Sequence, residues 1–83
     1  MKVLKFYADW CQPCKMLTRI IKDAGDKITA TIEEVDIDQN LDLARQYNIR
    51  GVPTMVVLND EGVEVKRQSG MMKENDLIKF LEE

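Results

Sequence analysis

Trp10-Cys11-Gln12-Pro13-Cys14-Lys15 holds both cysteines of the chain, separated by two residues and set beside its single tryptophan. The stretch lies between two different hydrophobic rhythms. Before it, Val3-Leu4-Lys5-Phe6-Tyr7-Ala8 reads as a buried strand; after it, Met16-Leu17-Thr18-Arg19-Ile20-Ile21 opens a helical pattern. Two thiols where a strand hands over to a helix N-terminus form a redox site. Unpaired N–H groups and the positive end of the helix dipole favour thiolate over thiol there. A structural staple is the weaker reading. Closing so short a loop removes on the order of 2 kcal/mol of unfolded-state entropy, against roughly 5 kcal/mol for a 100-residue loop. An incidental pair, or a metal shared between chains, stands as the alternative.

Composition narrows the rest. The 83 residues suit one small domain spanning 1–83. A net charge of −3, from 12 basic and 15 acidic residues, argues against a nucleic-acid surface. With no histidine, neither a Ser-His nor a Cys-His nucleophile can be built. Two thiols cannot complete an all-cysteine zinc site in one chain, so no metal is expected. No apolar run approaches the roughly 20 residues of a membrane span. Met1-Lys2-Val3-Leu4 enters the first strand at once, leaving no room for a signal peptide. A cytoplasmic protein without membrane contact is the expectation.

Hydrophobic periodicity gives the element order βαβαββα. A strand over 2–8 leads into a helix over 11–24, with Leu17, Ile20, Ile21 and Ala24 on one face, Pro13 in the first turn and Gly25 as its stop. Residues 31–37 read as a second strand, parallel to the first because a helix connects them. Asp38-Gln39-Asn40 supplies capping chemistry for a short helix over 41–47. After a loop over 48–54, Met55-Val56-Val57-Leu58 is uniformly apolar and reads as a strand buried on both faces. Asn59-Asp60-Glu61-Gly62 turns it into an edge strand over 63–68. A last helix, over 73–83, turns Leu77, Ile78 and Leu81 inward.

Three separated motifs resemble the thioredoxin family. Residues 6–16 resemble the W-C-G-P-C-K active-site segment with Gln12 in place of glycine. Val35-Asp36-Ile37-Asp38-Gln39-Asn40 is similar to the segment after the family's central strand. Tyr47-Asn48-Ile49-Arg50-Gly51-Val52-Pro53-Thr54 resembles its cis-proline loop, and Gly70 falls where thioredoxins keep a glycine beside the site. The resemblance implies a thioredoxin-like α/β fold with a four-stranded mixed sheet flanked by helices. It lacks the family's usual N-terminal strand and helix, which gives a short thioredoxin of glutaredoxin-like length.

The resemblance also implies roles. Cys11 would be the exposed attacking thiolate and Cys14 the buried resolving thiol, joined reversibly as a Cys11–Cys14 disulfide. Gln12, Pro13 and Lys15 would tune the redox properties. Pro53 would be a cis-proline placing the Val52 backbone beside the sulfurs, and Trp10, Gly51, Gly70 and Met71 would complete a shallow docking surface.

One departure concerns charge. Thioredoxins keep a buried aspartate at the position of Lys5 and a lysine at that of Glu34, so the signs are exchanged here. An opposite pair offsets much of the cost of burying either charge. Lys5 is thus expected to face Glu34, with Glu34 serving proton transfer to and from Cys14.

The leading function is a cofactor-free, monomeric dithiol–disulfide oxidoreductase. It would reduce protein disulfides, ribonucleotide reductase among its substrates, and be recharged by a flavin-dependent thioredoxin reductase. The alternatives are a glutathione-dependent glutaredoxin and a non-enzymatic accessory subunit. Ser69-Gly70-Met71-Met72 departs from the Gly-Gly-Asp-like turn of glutaredoxins.

Overall fold

The computed structural model describes residues 1–82. Strand β1 (Lys2–Tyr7) leads through the cysteine segment into helix α1 (Gln12–Ala24). Strand β2 (Thr31–Asp36), helix α2 (Leu41–Gln46), strands β3 (Thr54–Leu58) and β4 (Glu64–Ser69), and helix α3 (Glu74–Glu82) follow. The order agrees with the sequence reading, and the element ends move by a residue or so. A short 3-10 turn over Gly25–Lys27 is added after α1, and the expected end of the last helix at position 83 lies outside the described residues.

The strands form one mixed sheet in the order β2-β1-β3-β4. β1 runs parallel to β2 and antiparallel to β3, and β3 is antiparallel to β4. The central position of β1 and β3 explains their composition. All five residues of β3 are buried, as an apolar strand covered on both faces must be. β4 is an edge whose pairing slips where Leu58 meets Glu64, an irregularity that blunts a free edge.

Strand pleating divides β1 between two cores. Val3 joins Met55, Val57, Leu17 of α1 and Leu77 and Leu81 of α3. Leu4 and Phe6 join Val35, Val56 and Leu58 on the opposite face, where Leu43, Tyr47 and Ile49 pack against them. α1 and α3 therefore cover one face and α2 the other. Lys5 shares the face of Val3. Its neighbours in the sheet are Glu34 on β2 and Met55 on β3.

The expected cap of α2 differs in detail. Asn40 occupies the N-cap position, but its side chain makes no capping bond. Its Nδ2 donates instead to the Asp36 carbonyl, 3.0 Å away. Short polar side chains have both local options, and here the turn between β2 and α2 takes precedence.

Candidate active site

The cysteines sit where β1 ends and α1 begins. Cys11 is the N-cap of α1, with extended backbone angles, and Pro13 lies in the first turn, where a missing N–H breaks no helical bond. The cap is unusual in its acceptor. Cys11 Sγ receives the Cys14 backbone N–H at 3.1 Å, doing with sulfur what a capping oxygen ordinarily does. A helix-end N–H aimed at this sulfur favours negative charge on it. Cys11 and Cys14 are joined as a disulfide with Cα atoms 5.3 Å apart.

The other wall comes from a distant part of the chain. The Val52–Pro53 peptide bond is cis, and the Val52 carbonyl oxygen lies 3.7 Å from Cys11 Sγ. Two bonds hold this loop. Thr54, buried at the start of β3, donates from Oγ1 to the Gly51 carbonyl at 2.7 Å. Gly70 N–H donates to the Pro53 carbonyl at 2.8 Å. Gly70 adopts a φ of +90°, a conformation that glycine reaches without a Cβ clash.

Burial corrects one expectation. Cys11 is only 4% exposed, against 2% for Cys14, so in the disulfide neither residue stands out into solvent. Ala8 packs with them, and Tyr7, Ile37 and Val52 pack against the cluster. The rim is different. Gln12, Pro13, Lys15 and Gly51 are exposed, Val52 and Gly70 are half-buried, and Met71 is exposed while Met72 turns into the core. Trp10 is 68% exposed, yet its indole is anchored: Nε1 donates to Asp38 Oδ2 at 3.1 Å. Trp10 and Met71 thus offer apolar surface to solvent.

Below the cysteines, on the α1 face of the sheet, Lys5 is completely buried. Its ammonium donates to Glu34 Oε1 at 3.1 Å, and the Glu34 side chain is 46% exposed. Lys5 also donates to Thr18 Oγ1 of α1, and Thr18 Oγ1 donates to the Cys14 carbonyl at 3.0 Å. The Tyr7 ring centroid lies 5.5 Å from the ammonium. The Tyr7 hydroxyl is held above its ordinary value by burial, then by the carboxylates of Asp36, Asp9 and Glu34.

Thr18, Thr54 and Asp38 are the site residues that sequence reasoning did not single out for the site. Thr18 looks like one more polar helix residue until Lys5 is brought beneath it. Asp38 carried a signal as a polar residue just past a strand end, which suggested helix capping instead.

The sequence model of the family described as Thioredoxin matches residues 1–83. A thioredoxin of Chlamydia trachomatis is 38% identical over 80 residues, which make up 95% of this chain and 78% of that protein. A thioredoxin of Mycoplasmoides gallisepticum is also 38% identical over 80 residues, covering 95% and 79%. Among solved structures, a mutant thioredoxin from Halobacterium salinarum aligns with a TM-score of 0.88 at 37% identity, over 98% of this chain and 71% of that one. Matched by the family model over residues 1–83 and by these relatives over nearly all of its length, the chain with this sulfur-capped helix and cis-proline loop belongs to the thioredoxin family.

Proposed function

We propose that this dithiol–disulfide oxidoreductase works as a protein-disulfide reductase, with Cys11 as nucleophile and Cys14 as resolving thiol. The thiol–disulfide chemistry itself follows from membership of the thioredoxin family. The observation that carries the assignment of roles is the Cys14 N–H directed at Cys11 Sγ, which stabilises charge on the first sulfur.

In the reduced protein the Cys11 thiolate attacks one sulfur of a substrate disulfide. A Cys11–substrate bond forms and the other substrate sulfur leaves as a thiolate. Cys14, having lost its proton, then attacks Cys11 Sγ. The intramolecular disulfide forms and the second substrate sulfur departs, so two electrons pass to the substrate. The Val52 backbone, its carbonyl 3.7 Å from Cys11 Sγ, supports pairing with an extended substrate chain, as an added strand pairs with a sheet edge. Trp10 and Met71 add exposed apolar surface for contact with the substrate.

The substrates are disulfide-bearing proteins of the cytoplasm, a ribonucleotide reductase among them, and a flavin-dependent thioredoxin reductase restores the dithiol. No helix among the described residues is long and apolar enough to cross a membrane.

Insulin-disulfide reduction coupled to a thioredoxin reductase and NADPH, run beside a glutathione-coupled assay, tests this reading. Turnover is expected with the reductase and only background with glutathione. Cys14→Ser is expected to trap a mixed disulfide on Cys11, and Cys11→Ser to trap none. Preferential coupling to glutathione, or trapping on Cys14 instead, would overturn the reading.

A further inference from the structure

Beneath the redox helix lies a buried charge that takes no part in the sulfur exchange itself. Lys5 has no solvent exposure, and an ammonium in such a place is costly unless partners surround it. The partners come from each element packed around it. β2 supplies Glu34, β1 supplies the Tyr7 ring, α1 supplies Thr18, and β3 offers only uncharged Met55.

The hydrogen bonds have a direction. The single Thr18 hydroxyl proton is donated to the Cys14 carbonyl, and Lys5 has donors only, so the hydroxyl accepts from the ammonium. The chain runs from ammonium to hydroxyl to the backbone of the resolving cysteine. The counter-charge is placed differently. β2 is an edge of the sheet, and the Glu34 side chain is 46% exposed there, where water screens it. The cation is itself removed from solvent and joined to Cys14 by two hydrogen bonds through Thr18, a residue on the exposed side of α1, while the anion faces outward.

We propose that Lys5 is a positioning residue which, through Thr18, keeps Cys14 in a cationic environment and so stabilises the dithiol form over the disulfide. Glu34 moderates the effect as a screened counter-charge. The proposal rests on the thiol–disulfide chemistry of Cys11 and Cys14. Reduction of their disulfide takes up two electrons and yields two sulfurs that can hold negative charge. A nearby cation favours the thiolate, and stabilising the reduced state makes the couple more oxidising. A buried carboxylate at the same position would act with the opposite sign. The exchange of Lys5 and Glu34 relative to thioredoxins is therefore a change of redox poise rather than a neutral swap.

Lys5→Met, Glu34→Gln, Thr18→Val and Thr18→Ser, each first checked for native circular dichroism, test this. The readouts are the Cys14 titration, followed by NMR of the cysteine Cβ in the reduced protein, and the potential, measured by equilibration with glutathione. Lys5→Met is expected to raise the Cys14 titration by roughly one pH unit. At pH above the Cys14 titration, where the second sulfur is ionised, the disulfide becomes about tenfold harder to reduce, or about 30 mV more negative for a two-electron couple. The difference shrinks as the pH falls below that titration. Glu34→Gln moves both readouts the other way. Thr18→Val follows Lys5→Met by a smaller step, and Thr18→Ser, which keeps the hydroxyl, retains wild-type values. Should Lys5→Met not fold, the Thr18 pair and Glu34→Gln decide the question.

Unchanged readouts in Lys5→Met, or Glu34→Gln moving them in the same direction as Lys5→Met, overturn the proposal. So does slower resolution of the mixed disulfide in Glu34→Gln with the titration unmoved, which would make Glu34 a proton acceptor instead. Failure of the underlying exchange chemistry shows separately, as wild-type protein that does not reduce insulin.

Discussion

Lys5 and Phe6 are consecutive on β1 and equally inaccessible to solvent, yet they enter opposite halves of the molecule. Phe6 faces α2, among Leu4, Val35, Val56 and Leu58, with the Tyr47 ring centroid 5.8 Å from its own. Lys5 faces α1 and meets a hydroxyl, a carboxylate and an aromatic ring. Burial alone therefore does not say what a strand position is for. The α2 face is closed by hydrocarbon and serves cohesion. The α1 face carries, under its redox helix, a charge that the fold must surround with partners.

The largest expected effect comes from breaking the apolar face. Phe6→Ala should cost about 3–5 kcal/mol, a large share of the roughly 5–15 kcal/mol that holds a typical domain folded. Denaturant unfolding measures it. Because Phe6 lies away from the charge network, the thiol titration of the folded fraction should not move. A shift as large as that of Lys5→Met would erase the division between the two faces.

The charged face should respond to shape more than to charge in its stability. Lys5→Ala removes most of a buried side chain and should cost about 2–3 kcal/mol, as other truncations to alanine do. Lys5→Met fills the slot with an apolar chain and should stay within about 1 kcal/mol of wild type, since replacing a buried ion with hydrocarbon is often neutral. Glu34 is then left unpaired, but at a half-exposed edge where water receives it. Equal losses in the two variants, measured by the same unfolding experiment, would mean that the ion pair rather than packing holds this region.

This contrast also explains what could be read before folding. Element order was legible because β1 and β3 are short apolar runs, as strands covered on both faces are, while α1 repeats apolar residues at helical spacing. The cysteine pair was legible because its spacing is local, and Cys11 sits at the helix start where that spacing puts it. The burial of Cys11 was not, because part of its cover comes from Ile37 and from Val52, 41 residues further along. Thr18 was illegible for the same reason: it is an unremarkable residue on α1 until a lysine 13 residues earlier comes beneath it. Lys5 itself was ambiguous, since one charge in an apolar strand fits either a solvent-facing position or a partnered interior one. Asn40 shows the limit on a smaller scale, for capping and bonding back to Asp36 are both local and the turn decides between them.

The same comparison extends to the rim of the sheet, where the smallest effect is expected. On β4, Arg67 Nε and Nη2 donate to both oxygens of Glu64, at 2.6 and 2.7 Å, and Nη2 also reaches the Tyr47 carbonyl at 2.9 Å. The hydrogen bonds from Arg67 hold the Glu64 carboxyl below its usual range, against a smaller opposing effect of burial. A carboxyl depressed in the fold contributes stability that is present above its unfolded value of about 4.3. That contribution is lost as the pH falls through the lower folded value. Glu64→Gln should therefore cost less than about 1 kcal/mol at pH 7, because solvent screens the pair, and the deficit should vanish in acid. Urea unfolding of the two proteins at pH 7 and again well below pH 4 measures the difference. A deficit that persists in acid would assign the loss to packing of the glutamate side chain and not to its charge. Lys5, sealed beneath α1, would then remain the one place in this comparison where charge itself governs behaviour.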